Sequence, residues 1–317
     1  MKFFWVKILL NQNEHKLYLS TCLIRIDSPQ TWKHMEMFKN RTAVLLTKHR
    51  KEDVIFPVLK ETGMNLEVET SFDTDLLGTF TNEIARQGSQ MEAARAKAHK
   101  AIEITGKSIG IASEGSFGPH PTIYFAAANI ELVLLVDAEN KIEIAGWEVS
   151  TDTNFSGVEV ANYEEALAFA SKIGFPQHGL VVKYPVLKGE NKIAAKGINS
   201  RKTLKLAINE AIKFSSDGKV HLETDMRAIY NPRRMKVIEK AATNLLNKMK
   251  SHCPQCNWPG FEISEWIKGL PCENCLLPTR GISKHIYQCK KCDYKKEVEY
   301  PYGEKYTDPQ YCDFCNP

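Results

Sequence analysis

The sequence has few of the features that place a chain in a membrane or in an oxidising compartment. It contains no run of about 20 apolar residues, which is the length that a membrane-spanning helix needs. The apolar N-terminus is interrupted by Lys7 and lacks the small-residue cleavage site of a signal peptide. Apart from Cys22, every cysteine belongs to a closely spaced pair, unlike the scattered cysteines of a disulfide framework. We therefore expect a cytoplasmic protein with no membrane partner.

An excess of one charge sign is also missing. The chain has 42 Lys and Arg against 38 Asp and Glu, a formal net charge of +4. Overall charge therefore favours neither nucleic acid nor a membrane surface as a partner. The 317 residues, 43% hydrophobic and 25% charged, are typical of a globular chain with one or two domains.

Local patterns predict an α/β domain with a mixed sheet over residues 37–250. Its clearest helix begins with a capping box at Ser89 and Glu92 and stops at Gly106, where glycine tolerates a left-handed conformation. A later helix begins at Asn231 and Pro232. The predicted strands are 43–46, 109–112, 130–137, 141–149, 180–183 and 220–223, and the other helices are 52–62, 162–172 and 200–214. Residues 1–36 would form an N-terminal extension.

Four Cys-x-x-Cys pairs predict a double zinc-ribbon-like module over residues 251–317. Two such pairs supply the four thiolates of a tetrahedral zinc site, so four pairs predict two structural Zn²⁺ ions. The ligands would be Cys253, Cys256, Cys272, Cys275, Cys289, Cys292, Cys312 and Cys315. The strand-like residues around 289/292 favour pairing 272/275 with 289/292 and 253/256 with 312/315. Consecutive and cross-braced pairings stay open.

The charge of this module argues against general nucleic-acid binding. Residues 251–317 contain eight Lys and Arg and nine Asp and Glu, and each Cys₄ zinc site would add two negative charges. Non-specific nucleic-acid affinity depends on basic charge, so docking or stabilisation of the α/β domain is the better hypothesis.

Three segments of the α/β domain concentrate side chains capable of chemistry: 47–52, 73–80 and a predicted loop at 113–121. Lys48, Lys51 and the Thr47 hydroxyl precede a helix, whose N-terminus favours an anion such as phosphate. Asp73, Asp75 and Glu114 are hard oxygen ligands that suit Mg²⁺ or Mn²⁺ bound together with a phosphate. The alternatives are ordinary: aspartates that form turns, solvated lysines and a rigid connector.

Further residues, inside and outside these segments, complete the candidate site. His120, between two prolines, is a candidate general acid or base, although surface histidines are common. Arg227 and Arg234 could bind an anionic substrate, although an Asp–Arg pair near a helix start is as often structural. The candidate catalytic residues are thus Asp73, Asp75, Glu114 and His120. The candidate phosphate or substrate ligands are Thr47, Lys48, His49, Lys51, Ser113, Ser116, Arg227 and Arg234.

Long motifs carry a resemblance to one family. Residues 73–81, 112–121 and 223–235, together with the four cysteine pairs, resemble an uncharacterised bacterial family, number 6671 in the domain-of-unknown-function series. The likeness runs from residue 37 to residue 317. It implies the zinc module but no established activity.

A shorter likeness suggests a chemistry. Thr47-x-x-x-Lys51-Glu52, the helical Lys97-Ala98, and the acidic loop at Glu114 are similar to motifs of the inosine/xanthosine triphosphate pyrophosphatase superfamily. His49 stands where that family has Asn, and Glu114 stands where two adjacent aspartates are usual. The resemblance implies a Mg-dependent hydrolase of nucleotides or related phosphate esters. The competing hypothesis is a non-catalytic zinc-ribbon protein that binds nucleic acid or acts as a protein adaptor.

Overall fold

The computed structural model describes residues 36–72, 88–186 and 191–317. Asp73 and Asp75, and nearly all of the expected N-terminal extension, lie outside these described residues. Within the described ranges, every helix is too short or too polar to span a membrane.

The first half of the described chain builds a five-stranded mixed sheet. Its strands are β1 (Thr42–Leu46), β2 (Asn65–Glu69), β3 (Ile109–Pro119), β4 (Ala127–Asp137) and β5 (Ile142–Ser150). Their order is β2-β1-β3-β4-β5, with β1 parallel to β2 and β3, and with β4 antiparallel to both β3 and β5. The mixed sheet expected from the sequence is confirmed.

Three helices cover the two faces of this large sheet. Helix α1 (Glu52–Leu59) continues into a 3-10 turn (Lys60–Thr62), and α5 (Pro232–Lys250) packs beside it on one face. Helix α2 (Gln90–Thr105) packs on the other face through alanines. Small residues allow close contact here, since a Cβ on Gly110 would lie 2.1 Å from the Ala98 carbonyl.

The helix ends follow the local signals of the sequence. Both hydrogen bonds of the capping box between Ser89 and Glu92 are present, and Gly106 ends α2 with a φ of 68°. Asn231 caps α5, with Pro232 at its first turn. Each cap satisfies backbone groups that a helix end leaves without partners.

A second sheet, which the sequence did not separate from the first, follows β5. Its strands β6 (Gly157–Val160), β7 (Leu180–Pro185), β8 (Asn191–Ile198) and β9 (Val220–Thr224) are all antiparallel in the order β6-β9-β7-β8. Helices α3 (Tyr163–Ile173) and α4 (Arg201–Phe214) pack on one face and share a core with it. A 3-10 turn (Ala228–Tyr230) leads from this sheet into α5.

The cysteine-rich C-terminal segment forms a three-stranded antiparallel sheet. It contains β10 (Glu262–Lys268), β11 (Ile282–Gln288) and β12 (Lys295–Glu299), followed by a 3-10 turn (Pro309–Tyr311). This sheet is tied to α5 by an ion pair of 2.7 Å between Lys248 and Glu262. Trp258 also packs against the core of the large sheet.

The predicted loop at residues 113–121 is largely wrong. Strand β3 continues to Pro119, because every residue from Ile109 to Pro119 pairs with an antiparallel partner on β4. The two glycines at 115 and 118 weaken the local strand signal, but cross-strand pairing over the whole length of β4 outweighs it.

Candidate metal centres and a cationic cluster beside the first strand

The eight paired cysteines form two groups of four. Cys253 and Cys256 face Cys289 and Cys292, whereas Cys272 and Cys275 face Cys312 and Cys315. Within each group all sulfurs lie within 4.8 Å of one another. The pairing favoured from the sequence is therefore wrong, and the cross-braced alternative is the one found. Alternation around one knuckle is a local signal, whereas the choice of partner knuckle depends on long-range packing.

The sulfur spacing fits a tetrahedral metal. Four sulfurs at about 2.3 Å from Zn²⁺ are separated by about 3.8 Å along each tetrahedral edge. The closest contacts between facing knuckles are 3.5 Å for Cys256–Cys289 and 3.6 Å for Cys275–Cys312. Each group can thus hold one ion with all four positions filled, which is the pattern of structural zinc.

The knuckles share one backbone design. In three of them the amide of the first cysteine donates to a carbonyl five residues later, as Cys253 does to Trp258 at 2.9 Å. The residue after the second cysteine has a positive φ in the same three knuckles: Asn257, Leu276 and Asp293. This tight turn directs both thiolates of a pair toward one point.

A second group of charged and polar side chains, called here the cationic cluster, lies where β1 ends. The last register pair between β1 and β3 joins Leu45 to Ile111, and β3 continues beyond it without β1. The loop at residues 47–51 follows directly from β1, and its Lys51 contacts Ser113 on β3. Within it, the hydroxyl of Thr47 accepts a hydrogen bond from the His49 amide at 3.2 Å. Lys48 is exposed on the loop.

On the face covered by α1 and α5, Lys51 is buried against β3. Its ammonium donates to the Ser113 carbonyl at 2.5 Å and lies 3.4 Å from the Ser113 hydroxyl. Burial first, and then the positive charge of Arg234, lower the pKa of Lys51 to about 7.

The same face holds a fully buried ion pair. Arg234 on α5 donates to Glu131 on β4 at 2.7 Å, and both side chains have 0% exposure. Arg234 also donates to the Met226 carbonyl at 2.6 Å, and its guanidinium lies 5.3 Å from the Phe117 ring centroid. Gly115 is opposite Glu131, and a Cβ there would come within 2.5 Å of Arg234. A larger residue at this position would therefore have to displace the buried ion pair.

On the opposite face, α2 contributes its own charged pair. Lys97 forms an ion pair with Glu114, and the two side chains are 12% and 4% exposed. The amide of Gln90 donates to the Glu114 carbonyl at 2.8 Å and accepts from the Ser116 hydroxyl at 3.1 Å. Glu114 and Ser116 thus point toward α2, as strand alternation requires.

The pKa of His49 is affected by cationic side chains on both faces of the large sheet. Burial first, and then the charges of Lys51, Arg234, Arg227 and Lys97, lower its pKa to about 3. The imidazole is consequently neutral at pH 7 and lies in a region of positive potential.

Arg227 joins the cluster from the second sheet. Its guanidinium is held by three contacts to Asp225, at 3.0, 3.3 and 2.6 Å, and stacks 4.6 Å from the Tyr230 ring centroid. Asp225 in turn accepts from the Gly197 amide at 3.0 Å. The Asp–Arg contact is therefore also a tie within the fold.

His120 is not brought to this cluster. It follows β3 six residues after Glu114, which corresponds to about 20 Å along a strand. Its Nδ1 accepts from the amides of Thr122 and Ile123 at 3.2 and 3.1 Å, which closes the turn between β3 and β4. These contacts give His120 a structural position.

Glu131 and Gln90 were not predicted from the sequence, and Lys97 was noted only through the Lys97-Ala98 resemblance and not as a candidate ligand. A signal for two of them exists. Glu131 occupies the same alternating positions of β4 as the buried Val133 and Leu135, and Lys97 lies beside Ala94 and Ala98 on the small-residue face of α2. A charge within an apolar stripe indicates a partner or a ligand.

Fold and sites together define an α/β protein whose C-terminal segment carries two groups of four cysteines, each able to hold a metal ion. The family model described as "Domain of unknown function (DUF6671)" matches residues 97–317, well over half of the chain. The protein belongs to this family. No curated protein and no solved structure matches the chain.

Proposed function

We propose that the chain binds a phosphorylated small molecule, a nucleotide or related phosphate ester, at the loop after β1 and hydrolyses it. The observation that carries this proposal is the approach of lysines and arginines from both faces of the large sheet to one loop. The basic members are Lys48, Lys51, Lys97, Arg227 and Arg234, and the acidic members are Glu114, Glu131 and Asp225. At pH 7 Lys51 is only partly charged, because its pKa is about 7. These five basic and three acidic residues therefore leave an excess of between one and two positive charges, which suits a phosphate group.

The residues have different tasks in this proposal. The exposed Lys48 and the backbone of the loop reach the phosphate, next to the N-terminus of α1. The buried Lys51 and Lys97 contribute their charge from beneath the loop. The resemblance of Thr47–Glu52 and of Lys97-Ala98 to the inosine/xanthosine triphosphate pyrophosphatase superfamily supports the same assignment.

A divalent cation is part of the hydrolase hypothesis. Glu114 is the carboxylate in the described residues that was predicted to bind Mg²⁺ or Mn²⁺, and Lys97 is its partner. Apart from the cysteines, the described residues contain no group of three acidic, histidine or cysteine ligands able to hold a metal. The described residues alone therefore do not make a complete magnesium site.

We propose that residues 37–250 contain this phosphate site and that residues 251–317 form a structural zinc module. Zinc binding requires reduced thiolates, which fits a cytoplasmic location. The zinc module supports a second candidate role, as a protein adaptor, because it exposes several aromatic side chains. Its acidic balance disfavours the nucleic-acid alternative.

The test measures thermal stability and phosphate release with pyrophosphate and nucleoside triphosphates, each with and without Mg²⁺ or Mn²⁺. We expect these ligands to stabilise the wild type and to be hydrolysed, because bound ligand shifts unfolding by mass action. Lys51→Met should remove the stabilisation, whereas Lys60→Met, at an exposed site just after α1, should not. Glu114→Gln is compared in the same way with the exposed Glu103→Gln.

Three results would count against the proposal. In the first, no phosphorylated compound stabilises the wild type under any metal condition. In the second, the Lys51 and Lys60 variants respond equally. If ligands bind without phosphate release, the binding site stands and hydrolysis is rejected.

A further inference from the structure

A groove in the zinc module lies beside the Cys272, Cys275, Cys312 and Cys315 site. Its volume is about 340 Å³, and Tyr302 and Tyr311 stand on its lining together with Glu304 and Arg280. The two tyrosines are 67% and 64% exposed. Exposed aromatic side chains that share a groove with an acidic group are an arrangement that binds cations.

One side of the groove is apolar and closely packed. Leu270 is buried beneath it, and Gly281 has no room for a side chain, since a Cβ would come within 2.6 Å of the Thr307 hydroxyl. The Thr307 amide donates to the Pro271 carbonyl at 2.8 Å, and the Thr307 carbonyl accepts from the Glu273 amide at 3.0 Å. The groove is thereby attached to the knuckle of Cys272.

The surroundings of the groove are acidic. Residues 269–281 and 300–317 contain Glu273, Glu304, Asp308 and Asp313 against Arg280 and Lys305. Arg280 is itself paired with Asp313 at 2.9 Å. A metal held by four thiolates adds two further negative charges. The groove therefore favours a cation and repels a phosphate backbone.

We propose that this groove is a docking site for a partner protein, and that it takes an arginine or lysine side chain from an extended peptide segment of that partner. The aliphatic part of the side chain would lie on the apolar side of the groove over Leu270 and Ile282, between the two tyrosines. The charged group would meet Glu304. Charge complementarity selects a basic peptide, and the same charge disfavours single-stranded nucleic acid.

The test uses the full-length, zinc-loaded protein with ¹³C-labelled tyrosines, assigned with Tyr302→Phe and Tyr311→Phe. The probe is an end-capped peptide with one central arginine between alanines, and the matched control carries citrulline, which has the same shape without the charge. We expect saturable changes in the Tyr302 and Tyr311 ring signals with the arginine peptide alone. Weak binding suits the purpose, because NMR titration resolves it.

Variants then separate the groove from the rest of the module. Glu304→Gln should weaken binding of the arginine peptide about fivefold, the upper range for an exposed ion pair. Glu297→Gln, at an exposed carboxylate on β12, should leave binding unchanged. Zinc content is measured for each variant, so that loss of the module is distinguished from loss of the ligand.

Four outcomes would overturn the proposal. The tyrosine signals do not move, or the citrulline peptide moves them equally. An oligothymidylate displaces the arginine peptide from the groove, which identifies a nucleic-acid surface. The tyrosine signals shift with protein concentration alone while light scattering shows self-association, which identifies a second copy as the occupant.

Discussion

The buried pair of Arg234 and Glu131 gives the sharpest test of how α5 is joined to the large sheet. Neither side chain is exposed, and the two are 2.7 Å apart. Glu131→Gln leaves the guanidinium buried without its opposite charge, which typically costs about 3–5 kcal/mol of unfolding free energy. The bond from Arg234 to the Met226 carbonyl remains in this variant, so we expect a loss of about 3 kcal/mol.

A second single variant removes the arginine. Arg234→Met leaves the Glu131 carboxylate buried and also deprives the Met226 carbonyl of its donor, so the loss should reach about 4 kcal/mol. The double variant Glu131→Leu with Arg234→Met replaces both charges by apolar groups. It should be more stable than either single variant, because no buried charge is left behind.

Urea denaturation followed by circular dichroism measures all three variants. The control is the pair of Arg95 and Glu143, which has the same distance of 2.7 Å but is 41% and 36% exposed. Glu143→Gln should cost about 0.5 kcal/mol. The reasoning is refuted if Glu131→Gln is no more costly than this control, or if the double variant is no more stable than the two single variants.

Two further predictions concern the metal centres and Lys51. Elemental analysis should find two zinc ions per chain in the wild type. The double variant Cys253→Ser with Cys289→Ser should keep one ion and Cys253→Ser with Cys272→Ser should keep none, because only the first pair of cysteines shares a site. Equal loss in both double variants would contradict the cross-braced pairing. The unfolded chain keeps a proton on Lys51 between pH 7 and 10.5 that the folded chain has released, so folding stability should rise with pH by about 1.4 kcal/mol per unit in that window. Lys51→Met should remove this contribution, and an unchanged slope in chemical denaturation would show that Lys51 does not titrate there.

Local signals in the sequence located several elements correctly. The capping box of α2, its terminating Gly106, and the Asn231-Pro232 start of α5 are all present as predicted. These features satisfy backbone groups within one or two helical turns, so neighbouring residues suffice to specify them. The same holds for the Cys-x-x-Cys knuckles, whose two thiolates are directed by a single tight turn.

The candidate site was only partly visible in the sequence. Lys51 and Ser113 were both named and are brought into contact. Glu114 was named as a metal ligand, whereas its partner Lys97 was noted only through a motif resemblance. His120, which looked equally suitable for chemistry, closes a turn instead. Residue type identifies groups capable of chemistry, but strand alternation and helix packing decide which of them meet.

The sequence by itself thus determined that the C-terminal segment carries metal-binding cysteine knuckles, where the caps of α2 and α5 lie, and that the α/β domain has a mixed sheet. Only the tertiary structure decided the cross-braced pairing of the knuckles, the full length of β3, the separate second sheet, and the contact between Glu131 and Arg234, which are 103 residues apart. The physical reason is the distance along the sequence between the groups that interact. A cap or a knuckle is stabilised by groups a few residues away, whereas partner choice between distant segments depends on which packing buries the most apolar surface and pairs every buried charge.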